Sequence, residues 1–147
     1  MVFKSGNPDG RCTGYMIGKA EGPGLEWHSH ITAVTVDYDY RRLGLARALV
    51  EHLEHCSEEP DYNCYFMDLF VRTSNKVAID MYKLFGFDVF RRVKHYYSSG
   101  DNSSDAEDAF DMRKPLKRDT TKQSLTKSAH TFETQGFEYK YDKASLT

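Results

Sequence analysis

The chain has 147 residues, a length typical of one domain, and 39% of them are hydrophobic, which is enough for a packed core. Lys and Arg number 20 against 22 for Asp and Glu, so the formal charge is −2 and direct binding of nucleic acid is not expected. The three cysteines form no CxxC pair, so the sequence indicates neither a disulfide framework nor a metal site.

The sequence also bears on location. A membrane span needs about 18 consecutive apolar residues, and no uncharged run in this sequence approaches that length. Residues 1–10 lack the charged-then-apolar layout of a signal peptide. We therefore expect a soluble cytoplasmic protein that has no membrane partner.

The N-terminal third predicts three strands. The turn signal Asn7-Pro8-Asp9-Gly10 separates residues 1–4 from residues 13–20, as in a hairpin. Residues 30–36 are rich in β-branched side chains and predict a third strand. Strict alternation would place four of its side chains on one face, namely His30, Thr32, Val34 and Val36.

Two helices alternate with further strands in the rest of the chain. Apolar residues at helical spacing predict a helix over about 42–56 and, after an apolar strand over 64–71, a second helix up to Phe85. Ser74 or Asn75 is expected to cap the second helix and Gly86 to end it. The expected apolar stripe of the second helix consists of Val77, Met81 and Leu84.

The last two strands are expected over 87–97 and 109–114, on either side of an acidic, Ser-rich loop. The order of elements predicts an α/β (α+β) domain over 1–114 with a mostly antiparallel mixed sheet and an internal βαβ unit. Residues 115–147 are polar and lack periodicity, which predicts a mobile tail. Four aromatic residues leave open that part of this tail docks on the core or on a partner; they are Phe132, Phe137, Tyr139 and Tyr141.

The segment 41–46, Arg-Arg-Leu-Gly-Leu-Ala, lies between a predicted strand and a predicted helix. Backbone N–H groups at a helix start are unpaired, and the helix dipole adds positive potential, so a pyrophosphate fits there. Gly44 would let phosphate approach the backbone, and Arg41 and Arg42 add charge. An ordinary basic helix start is the alternative interpretation.

This segment resembles the (Q/R)xxGx(G/A) acetyl-CoA motif of the GNAT superfamily of acetyltransferases. The resemblance implies the GNAT acyl-CoA N-acyltransferase fold and acetyl-CoA as co-substrate. It also implies that the backbone of Val34 and Val36 contacts the pantetheine arm. The residues implied to cradle the pyrophosphate are Arg41, Arg42, Gly44, Leu45 and Ala46.

Residues 74–87 resemble a second GNAT pattern, SNxxAxxxYxxxGF. By that resemblance, the Asn75 side chain bonds the pantetheine arm and the Tyr82 hydroxyl lies near the coenzyme sulfur. Amine attack on a thioester expels a thiolate, which a nearby hydroxyl can protonate or stabilise. Tyr82 follows Asn75 by about two helical turns, so both can face one groove. The alternative for Tyr82 is a core aromatic residue.

Several further segments are similar to the catalytic subunit of N-terminal acetyltransferase B (NatB). This resemblance implies a protein N-alpha-acetyltransferase that acts on nascent chains beginning Met-Asp, Met-Glu, Met-Asn or Met-Gln. It implies a helical-repeat auxiliary subunit as partner, and through it the ribosome. The segments are 14–22, 27–33, 68–72, 95–98 and 111–114.

The predicted peptide site has four main residues. His30 and Thr32 could offer donors to the acidic or amide second side chain of the substrate. Tyr96 and Tyr97 could clamp the peptide backbone. His30, Tyr96 and Tyr97 are candidates for the general base, and Tyr82 for the catalytic acid. The alternative for His30 is a structural histidine.

Two departures from the NatB pattern leave other functions open. The subfamily places a strand and two helices before the hairpin, as one wall of the peptide groove, whereas this chain starts almost at the hairpin and is expected to be a shortened form. Phe110 stands where the subfamily has a tyrosine of the substrate site. The alternatives are an acetyl-CoA-binding pseudoenzyme or assembly partner, and an A-type or other GNAT acetyltransferase.

Overall fold

The computed structural model describes residues 1–6, 10–97 and 106–126. The chain divides into two compact units. The first comprises Met1–Leu69 and Lys114–Ser124, and the second comprises Phe70–Arg113 with the residues from Leu125 onward. Within the described ranges, no helix is long and apolar enough to cross a membrane.

The first unit contains the predicted hairpin and βαβ unit. β1 (Val2–Gly6) pairs antiparallel with β2 (Cys12–Glu21), and β2 pairs antiparallel with β3 (His28–Val36). Helix α1 (Leu45–Glu58) leads from β3 to β4 (Phe66–Arg72), and β3 and β4 pair in parallel. The sheet of this unit is therefore mixed and mostly antiparallel, as predicted.

The hydrophobic core of the first unit lies between α1 and β2. Leu49, Val50 and Leu53 of α1 are buried, in agreement with the predicted helical spacing. A Cβ built on Gly18 would meet the Leu53 side chain at 2.9 Å, so glycine lets helix and strand approach closely at this point. Each such buried aliphatic side chain contributes about 1.5–3 kcal/mol.

A β-bulge in β3 overturns the predicted alternation of that strand. Ile17 and Gly18 are consecutive in β2, but they pair with Ala33 and Ile31 of β3. Thr32 is therefore an extra residue in β3 that has no partner in the register. One inserted residue changes which side chains share a face, because alternation has a period of two. The sequence carries no Gly or Pro at this position to signal the bulge.

The bulge breaks the single face that was predicted for His30, Thr32, Val34 and Val36. Paired residues of antiparallel strands point to the same face. Val34 pairs with Met16, which is fully buried, whereas His30 pairs with the exposed Lys19. Val34 and Val36 therefore lie on the face that α1 covers, and His30 lies on the other.

Helix α1 begins three residues later than predicted and ends two residues later. Arg42 (φ 66°) and Gly44 (φ 84°) adopt left-handed backbone conformations, which a right-handed helix excludes. At the other end, Ser57 lies just beyond the predicted helix of about 42–56. In the structure it is buried within α1, and its Oγ donates to the Leu53 carbonyl at 2.6 Å.

The second unit contains the end of β4, helix α2 (Lys76–Leu84), β5 (Asp88–Tyr97) and most of β6 (Glu107–Pro115). β5 and β6 pair antiparallel. The predicted helix signals hold, because Asn75 Oδ1 accepts from the Ala78 N–H at 3.2 Å and Gly86 takes the left-handed φ of 93° after the last turn.

The predicted apolar stripe of α2 is wrong. Val77 is 80% exposed and Leu84 is 75% exposed, whereas Ile79 and Tyr82 are buried. Both sets have helical spacing, so periodicity alone could not rank them. Tyr82 decides the orientation of the helix, because its large ring packs edge-on against Phe87 with ring centroids 5.7 Å apart.

The domain does not end at residue 114. Leu116 is buried and its N–H donates to the Tyr65 carbonyl at 2.9 Å. The Arg118 guanidinium donates to the Asn63 carbonyl at 2.6 Å and lies 3.9 Å from the centroid of the Tyr65 ring. Residues 115–126 are thus folded rather than a mobile tail. The remaining tail, with its four aromatic residues, lies outside the described residues.

Candidate active site

The predicted phosphate-binding turn follows β3. Asp37 begins a short 3₁₀ helix over Tyr38–Tyr40 by accepting the N–H of Asp39 at 3.1 Å. The Arg41 Nε donates to the Val36 carbonyl at 3.2 Å, which ties the arginine to the end of the strand. Arg41 therefore brings fixed positive charge to the turn.

The start of α1 is open to a ligand. No side chain caps this helix at Gly44, so the N–H groups of the first turn have no partner within the helix. A Cβ built on Gly44 would meet no atom of the described residues within 4 Å, so none of them fills the space beside the backbone. Leu45 and Ala46 lie half-buried at the first turn. Unpaired N–H groups, a helix dipole and open space fit a pyrophosphate.

The residues of β3 divide into two groups at the bulge. Before it, His28–Ile31 pair in parallel with Phe66–Leu69 of β4. Val34 and Val36, which follow the bulge, are the residues whose backbone the GNAT resemblance assigns to the pantetheine arm.

His30 is paired with a buried carboxylate. Its Nδ1 lies 2.8 Å from Oδ1 of Asp68, which is 3% exposed. His28 approaches the same oxygen, with its Nε2 at 3.5 Å, and stacks on Phe66 with ring centroids 4.8 Å apart. The orientation of His30 is therefore fixed by Asp68, which the sequence places in a strand but does not connect to a histidine.

A second bulge orients the two tyrosines at the end of β5. Val93 pairs with Ala109 and Tyr97 pairs with Glu107, so three residues of β5 lie opposite one residue of β6 between these pairs. His95 takes a left-handed φ of 54° within this bulge. Bulges of this kind change the direction of the side chains that follow.

Both tyrosines contact the carboxyl half of β4. Tyr96 stacks on Phe70 with ring centroids 4.5 Å apart, and the Tyr97 hydroxyl donates to the Phe70 carbonyl at 3.0 Å. The Arg72 guanidinium lies 4.2 Å from the centroid of the Tyr97 ring. Burial raises the pKa of Tyr97, so its phenol is protonated at neutral pH and serves as a donor.

The Tyr82 hydroxyl has the protonation state that an acid needs. The side chain is 9% exposed, and burial raises its pKa to about 12, with Tyr97 adding a smaller contribution in the same direction. Tyr82 therefore remains protonated up to strongly alkaline pH. It can donate a proton or a hydrogen bond, and it is unsuited to act as a base.

Residues 2–87 match the acetyltransferase (GNAT) family. The chain belongs to this family. It is 47% identical over 132 residues to the N-terminal acetyltransferase B complex catalytic subunit naa20 of Schizosaccharomyces pombe, which covers 90% of this chain and 71% of that protein. It is 53% identical to N-alpha-acetyltransferase 20 of Dictyostelium discoideum, over 83% of this chain and 66% of that protein.

A solved structure gives the same family and fold. Chaetomium thermophilum Naa20 in complex with a bisubstrate analogue superposes with a TM-score of 0.75 at 40% identity, covering 90% of this chain and 74% of that chain. The predicted GNAT fold, the enzyme class and the resemblance to NatB catalytic subunits are thereby confirmed. The chain spans about two thirds of the length of the two curated relatives.

Sequence reasoning missed Glu107 as an organiser of the turn before α2. Its carboxylate accepts from the Ser74 N–H at 3.0 Å, from the Ser74 hydroxyl at 2.5 Å and from Arg72 at 2.9 Å. The hydrogen bonds from Ser74, followed by Arg72, lower the pKa of Glu107. Ser74 directly precedes the cap residue Asn75, so Glu107 fixes the backbone from which Asn75 projects.

Phe110 provides no hydroxyl for the substrate. It is half-buried in β6 and pairs with Arg92 of β5. An aromatic ring remains at this position, but the hydrogen bond that the NatB resemblance assigns to a tyrosine hydroxyl cannot form. The replacement of tyrosine by Phe110 therefore removes a hydroxyl group but keeps an aromatic ring at the same place in the strand.

Proposed function

We propose that this GNAT chain transfers the acetyl group of acetyl-CoA to the N-terminal amine of proteins that begin Met-Asp, Met-Glu, Met-Asn or Met-Gln. The observation that carries the proposal is the open, uncapped start of α1 at Gly44, in a chain whose relatives are NatB catalytic subunits. A bisubstrate analogue bound to a similar protein supports acetyl-CoA and a peptide as the two substrates.

In this proposal, the first unit holds the diphosphate of acetyl-CoA. The N–H groups of the first turn of α1 donate to the phosphate oxygens, and Arg41 and Arg42 add positive charge. The backbone of Val34 and Val36 bonds the pantetheine arm, as the family resemblance implies. Gly44 is required because it combines a positive φ with an unobstructed approach to the backbone.

The second unit supplies groups for the leaving thiolate. Asn75 uses its Oδ1 to cap α2, which leaves its amide NH₂ as the donor for the pantetheine arm. Tyr82, protonated because burial raises its pKa to about 12, donates to the sulfur as the C–S bond breaks. Donation strengthens as charge develops on sulfur, so it lowers the barrier rather than tightening ground-state binding.

The three candidates for the general base differ in their hydrogen bonds. Tyr97 is disfavoured, because its hydroxyl already donates to the Phe70 carbonyl and burial raises its pKa. His30 has a ring nitrogen 2.8 Å from the Asp68 carboxylate, which holds its ring in one orientation. We assign proton acceptance to His30 or Tyr96, and clamping of the peptide backbone to Tyr97.

His30 is also our candidate for reading the second residue of the substrate, together with Thr32. Asp68 fixes the histidine ring, so the imidazole is held in one orientation before substrate arrives. The partner proposed for the chain is the auxiliary subunit of a NatB complex. This subunit would link the chain to the ribosome in the cytoplasm. The complex named for the relatives supports this partner.

Replacing His30 tests the substrate assignment. His30→Ala is expected to lower kcat/KM for Met-Asp and Met-Glu peptides by about one to two decades, because a lost hydrogen bond to a charged group is worth about 1.5–3 kcal/mol. The dissociation constant of acetyl-CoA, measured by calorimetry, should stay the same. His28→Ala is the matched control, since His28 contacts the same Asp68 oxygen and should leave the peptide specificity unchanged. Equal peptide kinetics for His30→Ala and the parent would make His30 a structural residue.

Phe110 favours a second candidate, an acetyl-CoA-binding assembly partner without turnover. The missing hydroxyl weakens the peptide site while leaving the phosphate-binding turn untouched. Under this alternative, the chain binds acetyl-CoA as tightly as an active enzyme but modifies no peptide. An acetyl-transfer assay separates the two candidates.

A further inference from the structure

One cluster of side chains has the composition of a metal site. Glu21 ends β2, and His28 and His30 lie on β3 directly beside it, with Glu21 and His28 paired across the strands. One ring nitrogen of each histidine and one carboxylate oxygen of Glu21 lie within 4.8 Å of one another. Residues i and i+2 of a strand share a face, so the two imidazoles point to the same side of the sheet.

The tautomer of His28 is fixed by the backbone. Its Nδ1 lies 2.6 Å from the Glu26 carbonyl, which can only accept, so Nδ1 carries the proton. Nε2 is the nitrogen left to bind a metal, and it lies 3.9 Å from Oε1 of Glu21 and 3.5 Å from Oδ1 of Asp68. A histidine that donates one ring N–H to a carbonyl and presents the other nitrogen is the usual arrangement of a metal ligand.

The carboxylates supply the matching charge. Asp68 is buried and lies 2.8 Å from His30 Nδ1 and 3.5 Å from His28 Nε2, so a negative group lies against both imidazoles. Glu21 directs Oε2 to Lys19 at 2.6 Å, and its other oxygen toward His28. Both carboxylates therefore lie beside the two histidines.

We propose that Glu21, His28 and His30 form a binding site for a zinc ion, with Asp68 as the carboxylate that positions His30. Two imidazoles and a carboxylate suit zinc, whereas magnesium and calcium prefer oxygen ligands throughout. Zinc–ligand distances of about 2.0–2.2 Å place tetrahedral ligands about 3.4 Å apart. The half-exposed Glu21 side chain, at the end of its strand, is the ligand that moves to close the site.

Zinc binding has a consequence that rests on the proposed function. A zinc ion on His30 occupies the imidazole that the proposed function assigns to the second residue of the substrate. Zinc is therefore expected to inhibit acetylation of Met-Asp peptides in competition with the peptide, while the affinity for acetyl-CoA does not change. The affinity for zinc can be measured without acetyl transfer, so the metal site is tested independently of the proposed function.

The test is calorimetric titration of ZnCl₂ into the untagged full chain. We expect saturable binding of one ion per chain, and a loss of affinity of more than about 10-fold in both His28→Ala and Glu21→Gln. Asp68→Asn should weaken binding by about 10- to 100-fold, as usual for a residue that orients a ligand. His55→Ala is the matched control, since its histidine lies on the exposed side of α1. Cys12→Ser controls for binding to the exposed thiol.

The absorption spectrum of the Co²⁺-loaded chain checks the ligands independently. Intense visible bands in the parent that are lost in His28→Ala would support the site. Absence of saturable binding, or equal affinity in the parent and His28→Ala with both proteins folded by circular dichroism, would overturn it. Zinc binding without inhibition of acetyl transfer would support the metal site and contradict the role proposed for His30.

Discussion

Gly44→Glu is expected to raise the dissociation constant of acetyl-CoA by at least about 100-fold. The substitution places a carboxylate at the uncapped start of α1, where the phosphates are proposed to bind. Two like charges about 4 Å apart repel by about 4 kcal/mol at an effective dielectric constant of 20, which exceeds a 100-fold change in affinity. Calorimetric titration of acetyl-CoA into both proteins measures the effect.

Gly24→Glu is the matched control for Gly44→Glu. Gly24 also has a positive φ, of 55°, and a Cβ built there also meets no atom within 4 Å. Both substitutions therefore add the same charge and a similar backbone strain of about 1–2 kcal/mol. We expect similar losses of stability in the two variants and loss of acetyl-CoA binding in Gly44→Glu alone. Equal acetyl-CoA affinities in the two would contradict the assignment of the turn.

Tyr82→Phe is expected to lower kcat by about 100-fold and to leave the KM for acetyl-CoA nearly unchanged. General acid catalysis typically contributes about 10²- to 10⁴-fold, and the lost hydroxyl acts mainly in the transition state. The ring contact with Phe87 is retained, so the fold should be preserved. Steady-state kinetics with a Met-Asp peptide and varied acetyl-CoA measure both constants.

Tyr65→Phe provides the comparison for Tyr82→Phe. Tyr65 is half-buried beneath the Arg118 guanidinium and has no proposed role in acetyl transfer. Its kcat should equal that of the parent. If Tyr82→Phe also turned over like the parent, Tyr82 would be a core aromatic residue, which is the alternative that the sequence left open.

The sequence predicts those features of the fold that depend on neighbours along the chain. The antiparallel pairing of β1 with β2, the cap at Asn75 and the helix end at Gly86 all follow from local sequence preferences. Most of the predicted turn at 7–10 lies outside the described residues. The strand, turn and helix start around Gly44 belong to the same group, and phosphate binding by this turn remains a proposal. The structure adds that Gly44 is required for its positive φ.

Features that depend on distant partners could not be predicted. The bulge at Thr32 depends on the register with β2, and the burial of Tyr82 instead of Val77 depends on Phe87 and the packing of α2. Glu107 reaches back 33 residues to Ser74, a separation at which no spacing rule applies.

The histidine cluster lies between these two cases. His28 and His30 have the i, i+2 spacing that places two strand side chains on one face, which is a visible signal. The carboxylates that complete the cluster, Glu21 and Asp68, come from two neighbouring strands. Cysteine spacing carries no information about such a combination of histidines and carboxylates from separate strands.

Acetyl transfer by the full chain tests the central claim most directly. The chain is incubated with acetyl-CoA and peptides beginning Met-Asp, Met-Glu or Ser-Glu, with and without a NatB auxiliary subunit, and the products are measured by mass spectrometry. We expect an acetyl group on the N-terminal amine of the Met-Asp and Met-Glu peptides and little product from the Ser-Glu peptide. Tight binding of acetyl-CoA without acetylation of any peptide under either condition would overturn the proposed function.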